Sequence, residues 1–237
     1  MYHSGKTVIV LTIALLVIAG PAVLFADGEK SIQVGIAGGV LSHRNIENLN
    51  DRLEAQGYPA FETGYGTMGG LVRLRLDRLM IGAEAHGFQS KPETSGIYEL
   101  TLSGGYGLVE VGYDLFRSGG FRIFPIIGIG AGGTRLHIIN TQDVAFDAML
   151  ANPGRESSVA YGGLIVNASV AMEYYARITE KSGLVVGFQA GYNQTVYSDG
   201  SWRFVGERRN AVEATGGPDV DFNGVAMNLN IGWLFEL

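Results

Sequence analysis

The chain has 237 residues, 36 of them glycine and none cysteine, and is 46% apolar but only 17% charged. This is too hydrophobic for a disordered polymer and too glycine-rich for a helical bundle, which leaves a β-rich domain or a membrane protein. Without cysteine there are no disulfide staples or thiolate metal sites, and a net charge of −6 argues against nucleic acid as a partner.

In chain order, Lys6 supplies a positive n-region, residues 7–19 an apolar core, Gly20-Pro21 a helix break and Ala26 a cleavage point. The core is shorter than the roughly 20 residues that span a bilayer as a helix. Residues 1–26 therefore read as a secretory signal peptide and 27–237 as one mature domain.

From there on, apolar residues recur at every second position, the period of a strand. Ile32, Val34, Ile36 and Val40 begin the first strand. In the long link that follows, Ile46, Leu49 and Leu53 stand at helical spacing between Asn45, an N-cap, and Gly57, a stop, predicting a short amphipathic helix that covers the mouth of the fold as a lid. Strand 68–76 carries Arg73 and Arg75, and strand 79–89 carries Glu84 and His86. A tight turn at Asp77-Arg78 makes Leu71 oppose Glu84 and puts Arg73 one diagonal step from Glu84.

Long glycine-containing strands follow at 98–116 and 121–139. Their alternation changes phase near Gly105–Gly107 and at Gly132-Gly133, predicting β-bulges there. Three two-sided strands complete the pattern, the last with Val225, Met227, Leu229, Ile231, Trp233, Phe235 and Leu237 on one face and Asn228, Asn230, Gly232 and Glu236 on the other. The total is eight. Tight turns alternate with long links, so short and long loops fall on opposite ends of an antiparallel up-and-down sheet that closes into a barrel with no unpaired edge.

Alternation alone does not say which face is outside. The polar face is rich in Gly, Ala, Ser, Asn and Gln with few charges, which suits a crowded lumen better than a surface in water. Tyr98, Tyr113, Phe116, Phe121, Tyr174, Tyr192 and Trp233 lie near strand ends, where aromatic girdles meet bilayer interfaces. The reading is an all-β, eight-stranded transmembrane β-barrel.

Asn230, Gly232, Phe235 and Leu237 match the polar-x-Gly-x-x-hydrophobic-x-hydrophobic C-terminal signal of bacterial outer-membrane barrels, with Leu in place of the commoner final Phe. By this motif and by strand pattern over the mature chain, the sequence resembles the small eight-stranded class that includes OmpA, OmpX and OmpW. The resemblance implies a Gram-negative outer-membrane location, export through the periplasm with chaperones, insertion by the barrel assembly machinery, and outer-membrane lipid and lipopolysaccharide as surroundings. It brings no activity with it.

Arg73, Arg75, Glu84, His86, Glu99, Glu110, Arg122, Glu173 and Arg177 each lie opposite their strand's apolar face and are assigned to the lumen, as an ionic plug. An eight-stranded barrel is only wide enough for side chains to fill it, which excludes a general porin. Some small outer-membrane barrels modify lipid A with a His, a Ser and a carboxylate, but no sequence spacing ties His43 or His137 to such partners, and no cluster has metal-ligand spacing. No catalytic residue, metal or cofactor is assigned. The last loop, 198–221, offers Trp202 and Arg203, then Glu207, Arg208 and Arg209, for an unidentified partner or sugar surface. The sequence thus reads as a non-enzymatic barrel with a structural or surface-interaction role and loop-borne binding. Transport of small apolar ligands in the OmpW manner and lipid A modification are the alternatives.

Overall fold

The computed structural model describes residues 29–43, 45–151, 154–198, 200–205 and 212–237. The predicted signal peptide, residues 1–26, and Glu207, Arg208 and Arg209 lie outside these residues. Eight long strands form the wall: β1 (Lys30–Ser42), β2 (Gly64–Leu76), β3 (Leu79–Gln89), β4 (Tyr98–Tyr113), β5 (Phe121–Asn140), β6 (Glu156–Arg177), β7 (Ser182–Ser198) and β8 (Gly224–Glu236). Each pairs antiparallel with its sequence neighbours, and β1 pairs with β8 from Ser31↔Glu236 to Leu41↔Ala226, which closes the barrel. Short connections and both described termini lie at one end. The long links at the other end carry helix α1 (Ile46–Ala55), helix α2 (Phe146–Ala151) and small hairpin strands at Glu93–Ser95, Trp202–Phe204 and Glu213–Ala214.

The outer face of the wall is apolar over most of its height. Val34, Ile36, Val40, Met68, Val72, Val111, Ile127, Ile129, Val170, Met172, Val186, Leu229 and Ile231 are exposed, while their sequence neighbours point inward. Close contact between strands explains some of the glycine. A side chain at Gly232 would meet the Val34 carbonyl oxygen at 2.7 Å and one at Gly35 the Ile231 carbonyl oxygen at 2.8 Å, so the β1–β8 closure runs over two bare backbones that face each other.

The bulges predicted at Gly105–Gly107 and Gly132-Gly133 are absent. The β4–β5 register runs without a break from Tyr98↔Asn140 to Gly112↔Ile126. What changes there is the face that carries the apolar residues. Below these glycines the apolar residues point outward, as Val109, Val111, Ile127 and Ile129 do. Above them they point inward, as Leu100, Leu102 and Leu136 do, leaving Thr101, Ser103, Arg135 and His137 outside. A 22-residue β6 and a 20-residue β5 allow this, since a tilted strand crosses a bilayer in about 9–11 residues. The one register shift among the described residues of the wall is in the β6–β7 ladder, where Ile165 pairs with Thr195 and Leu164 with Tyr197, so that Val196 is the extra residue.

Candidate functional site

The barrel interior has two storeys. The lower one, toward the short turns, is ionic. Arg73 and Arg75 are adjacent inward residues of β2, and both are fully buried. Arg73 pairs with Glu173 (2.8 Å, β6), Glu110 (3.4 Å, β4) and Glu84 (3.7 Å, β3), and donates to the Gln189 side-chain oxygen at 2.6 Å. Arg75 grips the other oxygen of Glu173 and reaches Asp114 at 3.1 Å. Both guanidinium groups lie over the Phe124 ring, at 5.9 and 4.6 Å from its centroid. Planar forks with several donors suit this arrangement, because one arginine can satisfy carboxylates from three strands at once.

His86 stacks on Tyr106 at 5.1 Å and lies 3.7 Å from Glu84. Arg122 takes the inward position opposite Glu173 at the short-turn rim, half-buried. Arg177 has the right parity but stands past the rim, exposed and 2.7 Å from Glu236. Glu99 does not belong to the lumen. Glu110 and Glu99 differ by an odd number of positions, so with no bulge between them only one can point inward, and Glu99 is on the outer face. Sequence reasoning also passed over Gln33, Asp114 and Gln189. Asp114 continues the inward parity of Glu110 and Gly112 and falls inside the predicted strand 98–116, so the alternation that selected Glu110 points to it as well, although the observed strand ends one residue earlier.

The upper storey is apolar. Helix α1 lowers Ile46, Leu49 and Leu53 into the mouth, where they join Leu41, Tyr65, Phe88, Leu100, Leu102 and Phe222 in one buried cluster. Asn45 does not cap the helix; its side-chain amide donates instead to Asp221 of the last loop at 3.2 Å, tying the first and last long loops together. Gly57 ends the helix with φ +80°, and the Tyr58 amide closes back on the Leu53 carbonyl. His43 is sealed beneath this lid against Phe222 and Phe88, with both ring nitrogens unpartnered, and burial pushes its pKa down to about 4. Burial and neighbouring Asp219 raise the Asp221 carboxyl above its ordinary range.

The outer wall above the apolar band carries a third cluster. His137 Nε2 is 2.7 Å from Glu156 Oε1, and Ser158 is the cross-strand neighbour of His137. The structure thus ties a histidine to an acid and a serine that sequence spacing left unconnected, because a long link separates β5 from β6. Among the described residues no hydrogen bond joins the Ser158 hydroxyl to His137. No group of three or more His, Asp or Glu side chains among the described residues is arranged to hold a metal ion.

The C-terminal residues divide by face. Asn230 is buried in the lumen with both amide atoms unpartnered, whereas Phe235 and Leu237 are exposed on the outside. The Leu237 amide donates to the Lys30 carbonyl at 2.9 Å, fastening the two ends of the barrel domain together.

No protein-family model matches the chain, and no curated protein matches it. Among solved structures it is similar to the attachment invasion locus protein Ail of Yersinia pestis (12% identity, 88% of this chain and 99% of that one, TM-score 0.45). It is also similar to a major outer membrane protein from Thermus thermophilus (10%, 87% and 99%, TM-score 0.48) and to the outer membrane protein OprG from Pseudomonas aeruginosa (13%, 90% and 97%, TM-score 0.41).

Proposed function

We propose that the chain is an integral outer-membrane barrel with a structural or surface-interaction role, exported by a cleaved leader at 1–26, closed to solutes by its own side chains and offering its long loops for contact. The observation that carries this reading is the inversion of the ordinary globular pattern. Large aliphatic side chains cover the outside of all eight strands, while two arginines and their carboxylates are enclosed within. A bilayer is the solvent in which such a surface is stable, and a closed barrel is the one β-architecture that satisfies its backbone there. Asn230, Gly232, Phe235 and Leu237 then serve as the signal read by the insertion machinery.

Lumen closure rests on the two storeys: an ionic plug below, and α1 with Phe222 and Val220 above. The filled upper storey disfavours passage of an apolar ligand. The test is insertion of the purified chain into phospholipid vesicles, read by heat-dependent electrophoretic mobility, followed by planar-bilayer recording. The expected result is a heat-modifiable band and no steady conductance. A monodisperse, detergent-free protein would overturn the membrane assignment, and a conductance that changes with Arg73→Ala or Glu84→Ala would overturn the plug. Lipid A mass spectrometry with and without expression tests the non-enzymatic reading, for which a mass change abolished by His137→Ala would be fatal.

A further inference from the structure

We infer that the outer wall carries a binding site for the phosphorylated headgroup of an outer-leaflet lipid, centred on Arg135; this rests on the membrane reading above. Gln89, Ser103 and Arg135 stand side by side on β3, β4 and β5, all facing out, and Thr101, His137 and Ser158 form the row above them. The Arg135 guanidinium has no carboxylate partner among the described residues: Glu156, the acid lining the same depression, is held by His137. An unengaged fork of N–H donors with three hydroxyls around it is a donor-rich surface that matches a phosphate monoester.

The shelf is recessed as well as charged. A depression of about 280 Å³ is lined by Arg135, His137, Glu156 and the neighbouring polar residues, and a second of about 380 Å³ lies between Ser103, Gly105, Gly133, Arg135 and Ala160. The second has a simple cause. Gly87, Gly105, Gly133 and Gly162 are in mutual cross-strand register at outward positions, so the wall is bare backbone across four strands just below the arginine.

Position selects a lipid over other anions. Below the glycine row the same strands present Val109, Ile129 and Val166 outward. Arg135 is two residues above Gly133, about 7 Å along the strand. A lipid whose chains lie on that apolar wall brings its headgroup over the bare backbone and its phosphate to the arginine.

The test uses the folded full-length barrel in detergent micelles, titrated with bis-phosphorylated lipid A, dephosphorylated lipid A and inorganic phosphate, and read by native mass spectrometry. Lipid A is expected to bind, with about tenfold weaker retention after removal of its phosphates or in Arg135→Ala, as befits loss of one charge-assisted contact. Arg135→Lys restores part of the affinity, Arg52→Ala on α1 leaves it unchanged, and inorganic phosphate does not compete. Equal retention of both lipid forms, or an unaffected Arg135→Ala variant, overturns the site. Competition by inorganic phosphate makes it a free-anion site and overturns the lipid assignment. Vesicle insertion of the wild type is measured in parallel, so a barrel that inserts but ignores the phosphates refutes this proposal alone, and one that fails to insert refutes the membrane reading.

Discussion

Replacing Arg73 by methionine is the sharpest perturbation of the lower storey. Methionine fills similar volume, yet it leaves Glu173, Glu110 and Glu84, which stand 2.8, 3.4 and 3.7 Å from the guanidinium, as buried carboxylates short of their shared cation. Glu173 keeps Arg75, but Glu110 and Glu84 lose the only arginine that touches them among the described residues. Removing one partner of a buried ion pair costs about 3–5 kcal/mol, and the cost at Arg73 belongs at the upper end of that range because several acids share it. Urea unfolding from phospholipid vesicles, followed by tryptophan fluorescence, measures the loss. Arg73→Lys keeps the charge without the fork and should fall between wild type and Arg73→Met. A double-mutant cycle with Glu110→Gln should return a coupling of about 0.5–3 kcal/mol. A loss for Arg73→Met below about 1 kcal/mol, the size of an exposed pair, would refute the ionic network as a structural element.

Three further outcomes follow from other parts of the molecule. His43 has its folded pKa held near 4, below its unfolded value of 6.5, so the unfolded chain binds the extra proton between those values and stability must fall as pH drops through that window; the wild type should lose about 3 kcal/mol between pH 7 and pH 4 relative to His43→Phe, and parallel curves for the two would refute the sealed site. Leu229 is exposed at the middle of β8, and Leu229→Lys should cost about 2–4 kcal/mol in vesicles, whereas a neutral effect would show that this face does not meet acyl chains. Leu49→Ala should cost about 2–5 kcal/mol if α1 is packed as a lid, with faster proteolysis of the first long loop, and an unchanged digestion pattern would show that the helix is not docked.

Strand number, topology and the place of α1 were legible in the sequence because each rests on a local period: two for the wall, and three to four for Ile46, Leu49 and Leu53. The Arg73–Glu84 contact was legible too, because a two-residue turn fixes the β2–β3 register. The partnership of Arg73 with Glu173 was not, since the two are 100 positions apart and meet across the barrel. Gly105 and Gly133 misled for a physical reason. A bulge and a change of solvent both shift the apolar residues by one position, and sequence alone does not distinguish geometry that slips from surroundings that switch. That ambiguity put Glu99 inside. The real slip, with Val196 as the extra residue, has no glycine beside it in its own strand, although Gly163 flanks it on the facing strand.

The exchange of apolar sides along β4 and β5 also acts as a gauge of immersion. Sinking the molecule by one outward residue pair, about 7 Å of strand, would drag Gly133 and then Arg135 among hydrocarbon tails, and lifting it equally would wet Val109 and Ile129. On the membrane reading both displacements are opposed by unfavourable transfer of side chains, so the wall itself favours one depth, alongside the aromatic residues near its strand ends. A sister sequence whose exchange point sat one pair lower would ride correspondingly higher in the same bilayer.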